Sequence, residues 1–168
     1  MEKINPIILS IGSNLGDKYS NLKQAIEKIE KSIGCVLSVS SIYETEPLGF
    51  QSEDNFYNIC VEIESDLKPL DLLYATQNIE LEIGRLKKSG DFYESRVIDI
   101  DIILYKAEQI DLNDLKVPHT KFLYRKFVLI PLLEICPDIL NPTDGQAISK
   151  FLHKCPDNSL VKKISHVI

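Results

Sequence analysis

The sequence has no Cys-x-x-Cys pair, no long apolar run and no signal-like start. Its four cysteines are scattered along the chain, which argues against a zinc site and a disulfide framework and favours a reducing compartment. No stretch is apolar for long enough to cross a bilayer, and no basic segment near Met1 leads into a signal-length apolar run. We therefore expect an unexported, cytoplasmic protein with no membrane partner.

Positive charge is not in excess either, since 19 Lys and Arg residues stand against 25 Asp and Glu for a net charge of -6. This balance argues against a protein whose main task is to bind nucleic acid. The 168 residues, 44% of them hydrophobic, are enough for one sizeable core, and the sequence contains no repeat, low-complexity tract or linker. We expect a single domain over residues 1–168.

Apolar patterns predict alternating strands and helices. Short β-branched runs predict strands over residues 7–11, 35–43, 56–64 and 96–105. Apolar residues at helical spacing predict a helix between Asp17 and Gly34 and another from Pro69 to about Lys88, with short helices near Pro131 and Phe151. The order strand, helix, strand, strand, helix, strand is that of a ferredoxin-like α+β sandwich, a mainly antiparallel sheet flanked by helices.

The first predicted strand ends in a glycine-containing segment, Gly12-Ser13-Asn14-Leu15-Gly16-Asp17. It lacks the Gly-Lys-Ser/Thr ending of a phosphate-binding loop, and it does not match Gly-x-Gly-x-x-Gly. We therefore interpret it as a structural turn and not as a nucleotide site.

Two aspartates lie one residue apart in the last predicted strand. Because side chains alternate along a strand, Asp99 and Asp101 share one face, opposite Ile98, Ile100, Ile102 and Leu104. Their Cα atoms lie roughly 6.5 to 7 Å apart, and two negative charges at that distance repel by about 2.5 kcal/mol at an effective dielectric near ~20. Mg²⁺, which binds carboxylates together with nucleotide phosphates, would relieve that repulsion. The alternative is a pair of solvated acids on an exposed sheet face.

Side chains suited to a flat ring and to phosphates occur nearby. Phe56 and Asn58 face the same side of their strand and could stack on and hydrogen-bond a heterocycle, although ordinary packing would explain the aromatic residue equally well. Cations stand at both ends of the polar connector over residues 89–95, and a second basic cluster runs from His119 to Lys126. Such cations are the usual partners of triphosphate oxygens. The alternatives are lysines that complement a helix dipole and charges that are merely solvated.

Several motifs occur together and in order over about residues 7–138. They are Thr45-x-Pro47-Leu48-Gly49, Phe56-x-Asn58, Gln77-x-x-Glu80-x-x-x-Gly84-Arg85, Arg96-x-x-Asp99-x-Asp101, and Val117-Pro118-His119 followed by Arg125-x-Phe127. Together they resemble the hydroxymethyl-dihydropterin pyrophosphokinase family of folate biosynthesis. Spaced motifs in one order are far more specific than any single one of them.

This resemblance implies an Mg²⁺-dependent enzyme whose partners are ATP and 6-hydroxymethyl-7,8-dihydropterin. The family transfers the β,γ-pyrophosphate of ATP as one unit to the hydroxymethyl oxygen and releases AMP. Asp99 and Asp101 would bind two Mg²⁺ ions that arrive with ATP, one between the α- and β-phosphates and one bridging β and γ. Arg96 and Arg85 would neutralise charge as the β-phosphorus is attacked. We expect the enzyme to act as a monomer.

The resemblance also implies binding residues. The nucleotide positions are Gln77, Glu80, Lys87, Ile102, His119 and Arg125, with His119 and Arg125 on phosphates and Ile102 on adenine. The pterin positions are Thr45, Leu48, Phe56, Asn58 and Phe127, with the ring held between the two phenylalanines.

The sequence departs from the family pattern in three places. The connector before Arg96 lacks the family's frequent tryptophan, so either Phe92 or Tyr93 would stand in its place. Lys87 replaces an arginine of some relatives, and Thr120 replaces a frequent tyrosine. The alternative functions are a non-catalytic ferredoxin-like module that binds a nucleotide for regulation, and a nucleotidyl transferase that would release pyrophosphate.

Overall fold

An antiparallel β-sheet organises the protein. The computed structural model describes residues 5–47, 54–84, 95–164 and 168. Within them, the strands are β1 (Ile7–Ser13), β2 (Cys35–Val39), β3 (Tyr43–Thr45), β4 (Phe56–Glu64), β5 (Asp99–Tyr105), β6 (Ile110–Asp111), β7 (Lys116–Val117) and β8 (Lys162–Lys163). The main sheet has the order β5-β1-β4-β3-β8, with β2 also paired to β4, while β6 and β7 form a separate hairpin.

Four α-helices and a short 3-10 helix accompany the sheet within the described residues. They are α1 (Lys18–Ser32), α2 (Pro69–Ile83), the 3-10 helix (Phe122–Tyr124), α3 (Lys126–Ile135) and α4 (Ile148–Lys154). The Asp17 side chain caps the start of α1 by accepting a hydrogen bond from the Ser20 N–H at 3.0 Å. No helix in the described ranges has the length and apolar character needed to cross a membrane.

The second helix ends earlier than its apolar spacing predicts. Gly84 adopts a left-handed conformation with φ of 117°, and its N–H bonds back to the carbonyls of Glu80 and Leu81. A residue without a Cβ tolerates this conformation, which ends a helix. Helix α2 therefore ends at Ile83, and residues 85–88 of the predicted helix lie outside the described residues.

The strand predicted over residues 35–43 is in fact two strands. The Ser40 hydroxyl oxygen accepts the Cys60 N–H at 2.9 Å, in the place where a strand carbonyl would accept it, and the Ser40 N–H donates to the Cys60 carbonyl. Both β2 and β3 pair with β4, and this side-chain bond interrupts the backbone ladder along β4 between them. Thr45, which lies beyond the predicted strand over residues 35–43, belongs to β3 and pairs with Phe56.

The alternation along β5 also changes partway. Leu9 pairs with Ile102 while Ile8 pairs with Leu104, so Ile103 is an extra residue in a β-bulge. An extra residue reverses the facing of everything after it. Leu104 therefore packs with Ile8 and not with Ile100 and Ile102 as the simple period predicts.

The two faces of the sheet carry separate apolar clusters. On one face β1 packs against α1 and α2, through residues that include Leu22, Ile29, Leu72 and Ile79. On the other face Ile8 and Cys60 pack against α3 and α4, through Val128, Leu129, Leu132 and Ile148. This is the expected ferredoxin-like α+β sandwich, with a split second strand and an added edge strand.

Candidate active site

The face of the sheet that carries α3 changes character along β1. Its side chains shrink from Ile8 to Ser10 to Gly12. On the β5 side the cross-strand neighbours change from Leu104 beside Ile8 to Asp101 beside Ser10 and Asp99 beside Gly12. On the β4 side, Asn58 lies beside Gly12. The small residues form a low floor between β4 and β5, and polar side chains line both of its sides.

The two aspartates stand on this floor as the strand period predicts. Ile100 between them is buried on the opposite face, while Asp99 and Asp101 are each partly buried. Asp99 forms an ion pair with Arg96, in which 3.0 Å separates the Arg96 Nη1 from the Asp99 Oδ2. Only about a fifth of either side chain is exposed. The predicted residues Arg96, Asp99 and Asp101 therefore come together at the start of β5, and the acids are not on an open, solvated face.

A cavity of about 290 Å³ opens beside β5. It brings together four predicted nucleotide positions, Gln77, Glu80, Ile102 and His119, with the predicted metal ligand Asp101. It also has a wall that the sequence pattern does not predict, the β6–β7 hairpin over residues 113–116. The position of Thr120, where the family often has tyrosine, contributes to the same lining. The size suits a small organic ligand with a few polar contacts.

Glu80 has a definite structural partner in this cavity. It is 4% exposed, and its Oε1 accepts the Ile100 N–H at 2.7 Å. Within the described part of the chain β5 lies at the edge of the sheet, so no strand there offers a carbonyl to that N–H. Glu80 therefore supports the backbone between Asp99 and Asp101 in addition to lining the cavity.

His119 reaches the cavity from the segment after β7. Its N–H donates to the Ile103 carbonyl at 3.0 Å, which ties this segment to the outer edge of β5. Its Nδ1 accepts the Lys121 N–H at 3.2 Å. Because Nδ1 accepts in this contact, Nε2 is the ring nitrogen suited to donate to a phosphate oxygen.

Arg125 and Phe127 form a pair at the N-terminus of α3. The Arg125 guanidinium carbon lies 5.7 Å from the centre of the Phe127 ring. Burial lowers the pKa of Arg125 because the charged form loses hydration. A partly desolvated guanidinium attracts anions more strongly than a solvated one, so this pair offers an aromatic face and a phosphate-binding cation side by side.

The predicted pterin residues on β3 and β4 form one buried polar group. Asn58 and Thr45 are 3% and 4% exposed, and the Asn58 Nδ2 donates to the Thr45 hydroxyl oxygen at 2.9 Å and to the Tyr43 carbonyl at 3.4 Å. These bonds use the amide nitrogen, so the amide oxygen Oδ1 is the atom that can accept from a heterocyclic N–H. Phe56 faces the same side and borders Gly12.

Three predicted site residues lie outside the described residues: Leu48, Arg85 and Lys87. The connector that contains Phe92 and Tyr93 also lies outside them. Their roles stay predictions from the resemblance.

The sequence pattern does not predict that the turn after β1 holds the backbone that leads into β5. Ser13, Asn14 and Asn21 are 0%, 1% and 8% exposed, and their side chains bond the backbone of Arg96 and Val97. The interpretation as a structural turn stands, but the turn holds the residue paired with Asp99. The available signal was a polar run directly after a buried strand, where each buried polar group needs a partner.

The carboxylates on β5 suit a metal ion that takes some of its ligands from the protein and the others from a substrate. Among the residues that the structure describes, no cluster of three or more Asp, Glu, His or Cys side chains could hold a metal alone. Asp99 and Asp101 supply hard carboxylate oxygens on one face. Mg²⁺ is commonly bound by one or two carboxylates with phosphates and water, and this pair fits that requirement.

Comparison with known proteins points to one family. A model described as 7,8-dihydro-6-hydroxymethylpterin-pyrophosphokinase (HPPK) matches residues 8–137. Proteins named 2-amino-4-hydroxy-6-hydroxymethyldihydropteridine pyrophosphokinase are 44% identical over 133 residues in Porphyromonas gingivalis, covering 78% of this chain and 90% of that one, and 37% identical over 154 residues in Aquifex aeolicus, covering 92% of each.

A solved structure shows the same fold at lower identity. The Plasmodium falciparum HPPK-DHPS wild type with pteroate superposes with a TM-score of 0.72 at 16% identity. The match covers 90% of this chain and 44% of that one, so this chain spans less than half of that protein.

Proposed function

This chain belongs to the 7,8-dihydro-6-hydroxymethylpterin-pyrophosphokinase family, and we propose that Asp99 and Asp101 carry its reaction by holding Mg²⁺ beside the bound nucleotide. The enzyme acts in folate biosynthesis, moving the β,γ-pyrophosphate of ATP to the hydroxymethyl group of 6-hydroxymethyl-7,8-dihydropterin and releasing AMP. The relatives reported above are named as enzymes, so the non-catalytic alternative has no support.

The observation that carries the metal proposal is the position of the two carboxylates. They share one face of β5, Asp101 lines the cavity, and the Ile100 N–H between them is bound by Glu80. Bound Mg²⁺ supplies charge neutralisation of the phosphates and polarisation at the β-phosphorus. The contribution of the chain is to hold both carboxylates in one orientation.

The nucleotide would lie in the cavity between α2, β5 and the β6–β7 hairpin. Ile102 offers an apolar wall for the adenine, and Gln77 a polar edge. The His119 Nε2–H and the Arg125 guanidinium are donors for phosphate oxygens. Lys87 and Arg85 are proposed for the same anionic region from the resemblance alone.

Arg96 is proposed to stabilise charge during the transfer. It borders the acids, and its guanidinium already pairs with Asp99. A planar guanidinium beside the metal carboxylates could shift between Asp99 and a phosphate oxygen as negative charge builds on the departing AMP.

The pterin would lie on the Gly12 floor. Phe56 and Phe127 supply the faces for the ring, and Asn58 with Thr45 supplies the hydrogen-bonding edge, with Leu48 proposed there from the resemblance. Asn58 and Asp99 flank the same residue of β1, so two strand spacings, roughly 10 Å, separate their backbones. A bicyclic ring with a one-carbon arm spans that distance.

The chemical step is an in-line displacement. The hydroxymethyl oxygen forms a bond to the β-phosphorus, the bond from that phosphorus to the oxygen shared with the α-phosphorus breaks, and the hydroxyl proton is released to solvent. A primary hydroxyl is a weak nucleophile, so positioning and charge stabilisation supply most of the rate. We propose no dedicated base, and we propose that the enzyme works as a cytoplasmic monomer.

Product analysis tests this proposal directly. Purified enzyme with ATP, Mg²⁺ and the pterin should yield AMP and pterin diphosphate in equal amounts, without ADP or free pyrophosphate. Asp99→Asn and Asp101→Asn should each lower kcat on the order of 10³-fold, about 4 kcal/mol, since each removes a ligand charge. Asp101→Asn should not lower the melting temperature, because it removes the repulsion between the acids. Asp99→Asn should lower it slightly, because it also removes the ion pair with Arg96.

The matched control is Asp138→Asn, at an exposed position after α3, which should keep wild-type turnover. Near-normal activity in both β5 variants would refute the metal assignment. ADP in place of AMP would refute the transfer of a pyrophosphate unit.

A further inference from the structure

The backbone at Arg96 is held by the turn after β1. The Asn14 Oδ1 accepts the Arg96 N–H at 2.6 Å, while the Asn14 and Leu15 N–H groups both donate to the Arg96 carbonyl, at 3.0 and 3.2 Å. Both peptide groups that border Arg96 are therefore fixed from a segment 82 positions away in sequence. The side-chain part of this arrangement depends on Asn14 alone.

Two neighbours secure the next residue. The Ser13 hydroxyl donates to the Val97 carbonyl at 2.5 Å, and the Asn21 Nδ2 donates to the same carbonyl at 3.2 Å. Neither side chain bonds Arg96. Ser13 and Asn21 thus support the chain as it enters β5, whereas Asn14 bonds the residue that carries the guanidinium.

The same Asn14 amide reaches the other side of the site. Its Nδ2 donates to the Asp54 carbonyl at 3.3 Å and to the Ser95 hydroxyl oxygen at 3.2 Å. Asp54 lies two residues before Phe56, where β4 begins. The Asn14 side-chain amide, in a residue that is 1% exposed, therefore links Asp54, just before β4, with Ser95, the residue before Arg96.

We propose that Asn14 is a positioning residue that sets the Arg96 guanidinium against Asp99 and in register with the start of β4. This inference rests on the proposed function of Arg96. In this role Asn14 acts through Arg96 and is not itself a catalytic residue. A displacement near 1 Å of a group that stabilises the transition state can cost on the order of 10²-fold in rate.

The test compares Asn14→Ala with Asn141→Ala. Asn141 is also buried, at 4% exposure, and its Oδ1 also accepts a backbone N–H, that of Thr143, but in the turn before α4. For each variant we would measure kcat by AMP formation, the Kd of 6-hydroxymethyl-7,8-dihydropterin and of an ATP analogue with a non-cleavable α,β bridge, and the melting temperature.

We expect both variants to melt at lower temperature and only Asn14→Ala to lower kcat, by roughly 30- to 100-fold. Both Kd values should stay within about threefold of wild type, because the substrates still find their binding groups. Loss of stability in Asn14→Ala with kcat unchanged would overturn the inference, and so would weakened binding of both substrates with kcat unchanged.

A double-mutant cycle with Arg96→Ala identifies the route of the effect. If Asn14 acts through Arg96, then Asn14→Ala should lower kcat by less than about threefold in the Arg96→Ala background. An equal loss in both backgrounds would overturn the inference while leaving the proposed function intact. Wild-type turnover in Arg96→Ala would instead show that the proposed role of Arg96 is wrong, and the positioning role would fail with it.

If Asn14→Ala does not fold, Asn14→Asp replaces it. That variant keeps an acceptor for the Arg96 N–H and loses the donors to Asp54 and Ser95. A kcat that falls in Asn14→Asp and no longer falls in the Arg96→Ala background supports the inference, and a fall of equal size in both backgrounds overturns it.

Discussion

The two faces of β1 serve different purposes although they alternate residue by residue. On the face covered by α1 and α2, Ile7, Leu9 and Ile11 are all buried in one apolar cluster. On the other face, Ile8 is buried under α3, but Ser10 and Gly12 form the floor between the carboxylates and the amide of Asn58. Strand β1 therefore contributes apolar core along the whole of one face. On the other face it contributes core at Ile8 and the floor of the site at Ser10 and Gly12.

This difference shows how the sheet combines stability with chemistry. The apolar face buries a row of large side chains, and such burial stabilises by roughly 1.5 to 3 kcal/mol for each of them. The site face gives up that contribution at Ser10 and Gly12, where small residues leave room for ligands. Stability and activity should thus respond to changes on different faces of the same strand.

The largest effect is expected on the apolar face. Leu9→Ala removes a side chain that is 0% exposed and should cost about 3 kcal/mol of unfolding free energy, from lost transfer energy and the cavity left behind. Urea denaturation measures this cost. Turnover of the folded enzyme should remain close to wild type at a temperature well below the melting point, and a large loss of kcat would contradict the separation of the two faces.

On the site face we expect a smaller effect, on ligand binding and not on stability. In Gly12→Ala the new Cβ would lie 3.1 Å from the Asn58 Oδ1 and 3.7 Å from a Phe56 ring carbon. Among described glycines, those with positive φ are Gly16, Gly84 and Gly145, so alanine at position 12 fits its backbone. The pterin Kd should rise about tenfold, about 1.4 kcal/mol, with unfolding free energy almost unchanged.

Titration calorimetry with each substrate checks the Gly12→Ala prediction. The Kd of the ATP analogue is the internal control, since the contacts of the new methyl group are on β4 and not on β5. Equal weakening of both substrates would show that the floor is shared between them. An unchanged pterin Kd would show that the ring lies elsewhere.

The smallest effect concerns the part of this face that α3 covers. Glu134 accepts from the Ser41 N–H at 3.0 Å and the Ser41 hydroxyl at 2.7 Å, and also from the Tyr43 hydroxyl. Burial raises the pKa of Glu134. The hydrogen bonds from Tyr43 and Ser41 and the nearby Lys163 together lower the pKa by more than burial raises it, so the net shift is downward. The ionised form is thus the one that joins α3 to β3.

A lowered folded-state pKa gives a definite pH dependence. The contribution of Glu134 is complete above its ordinary pKa of 4.5 and is lost as pH falls through the lower folded value. Glu134→Gln should therefore destabilise the protein at pH 7, by less than about 1 kcal/mol given its partial exposure, and hardly at all at a pH below the folded-state pKa of Glu134. Urea denaturation at both pH values measures the difference.

The control for this prediction is Glu82→Gln, which removes a solvent-exposed pair with Lys28 at 2.6 Å. Its effect should be smaller and should disappear in high salt, because exposed charges are screened. An equal pH dependence in the two variants would mean that the link between α3 and β3 contributes nothing beyond a surface charge.

The predictions that rest on local periodicity were the most accurate. Strand β4 begins and ends where its alternation predicts, and Asp99 and Asp101 share a face as expected. Both results need only the fact that side chains alternate along a strand. The resemblance then assigned the chemistry, which alternation alone could not do.

Three features were missed because a distant contact decides the local structure. The bulge at Ile103 turns Leu104 to the opposite face, and the Ser40 hydroxyl divides the predicted second strand. The β6–β7 hairpin was not predicted at all, yet it lines the cavity beside His119. None of these features has a periodic signal, because each depends on the pairing partner and not on the segment itself.

By itself the sequence determined the order of the four main strands and the two long helices, the shared face of the two aspartates, and the family. These follow from apolar period and from motifs that are short in sequence. Only the tertiary structure decided that Glu80 binds the backbone between the aspartates and that Asn14 holds Arg96. The physical reason is that a buried polar group must find a partner, and packing, not sequence distance, decides which partner is within reach.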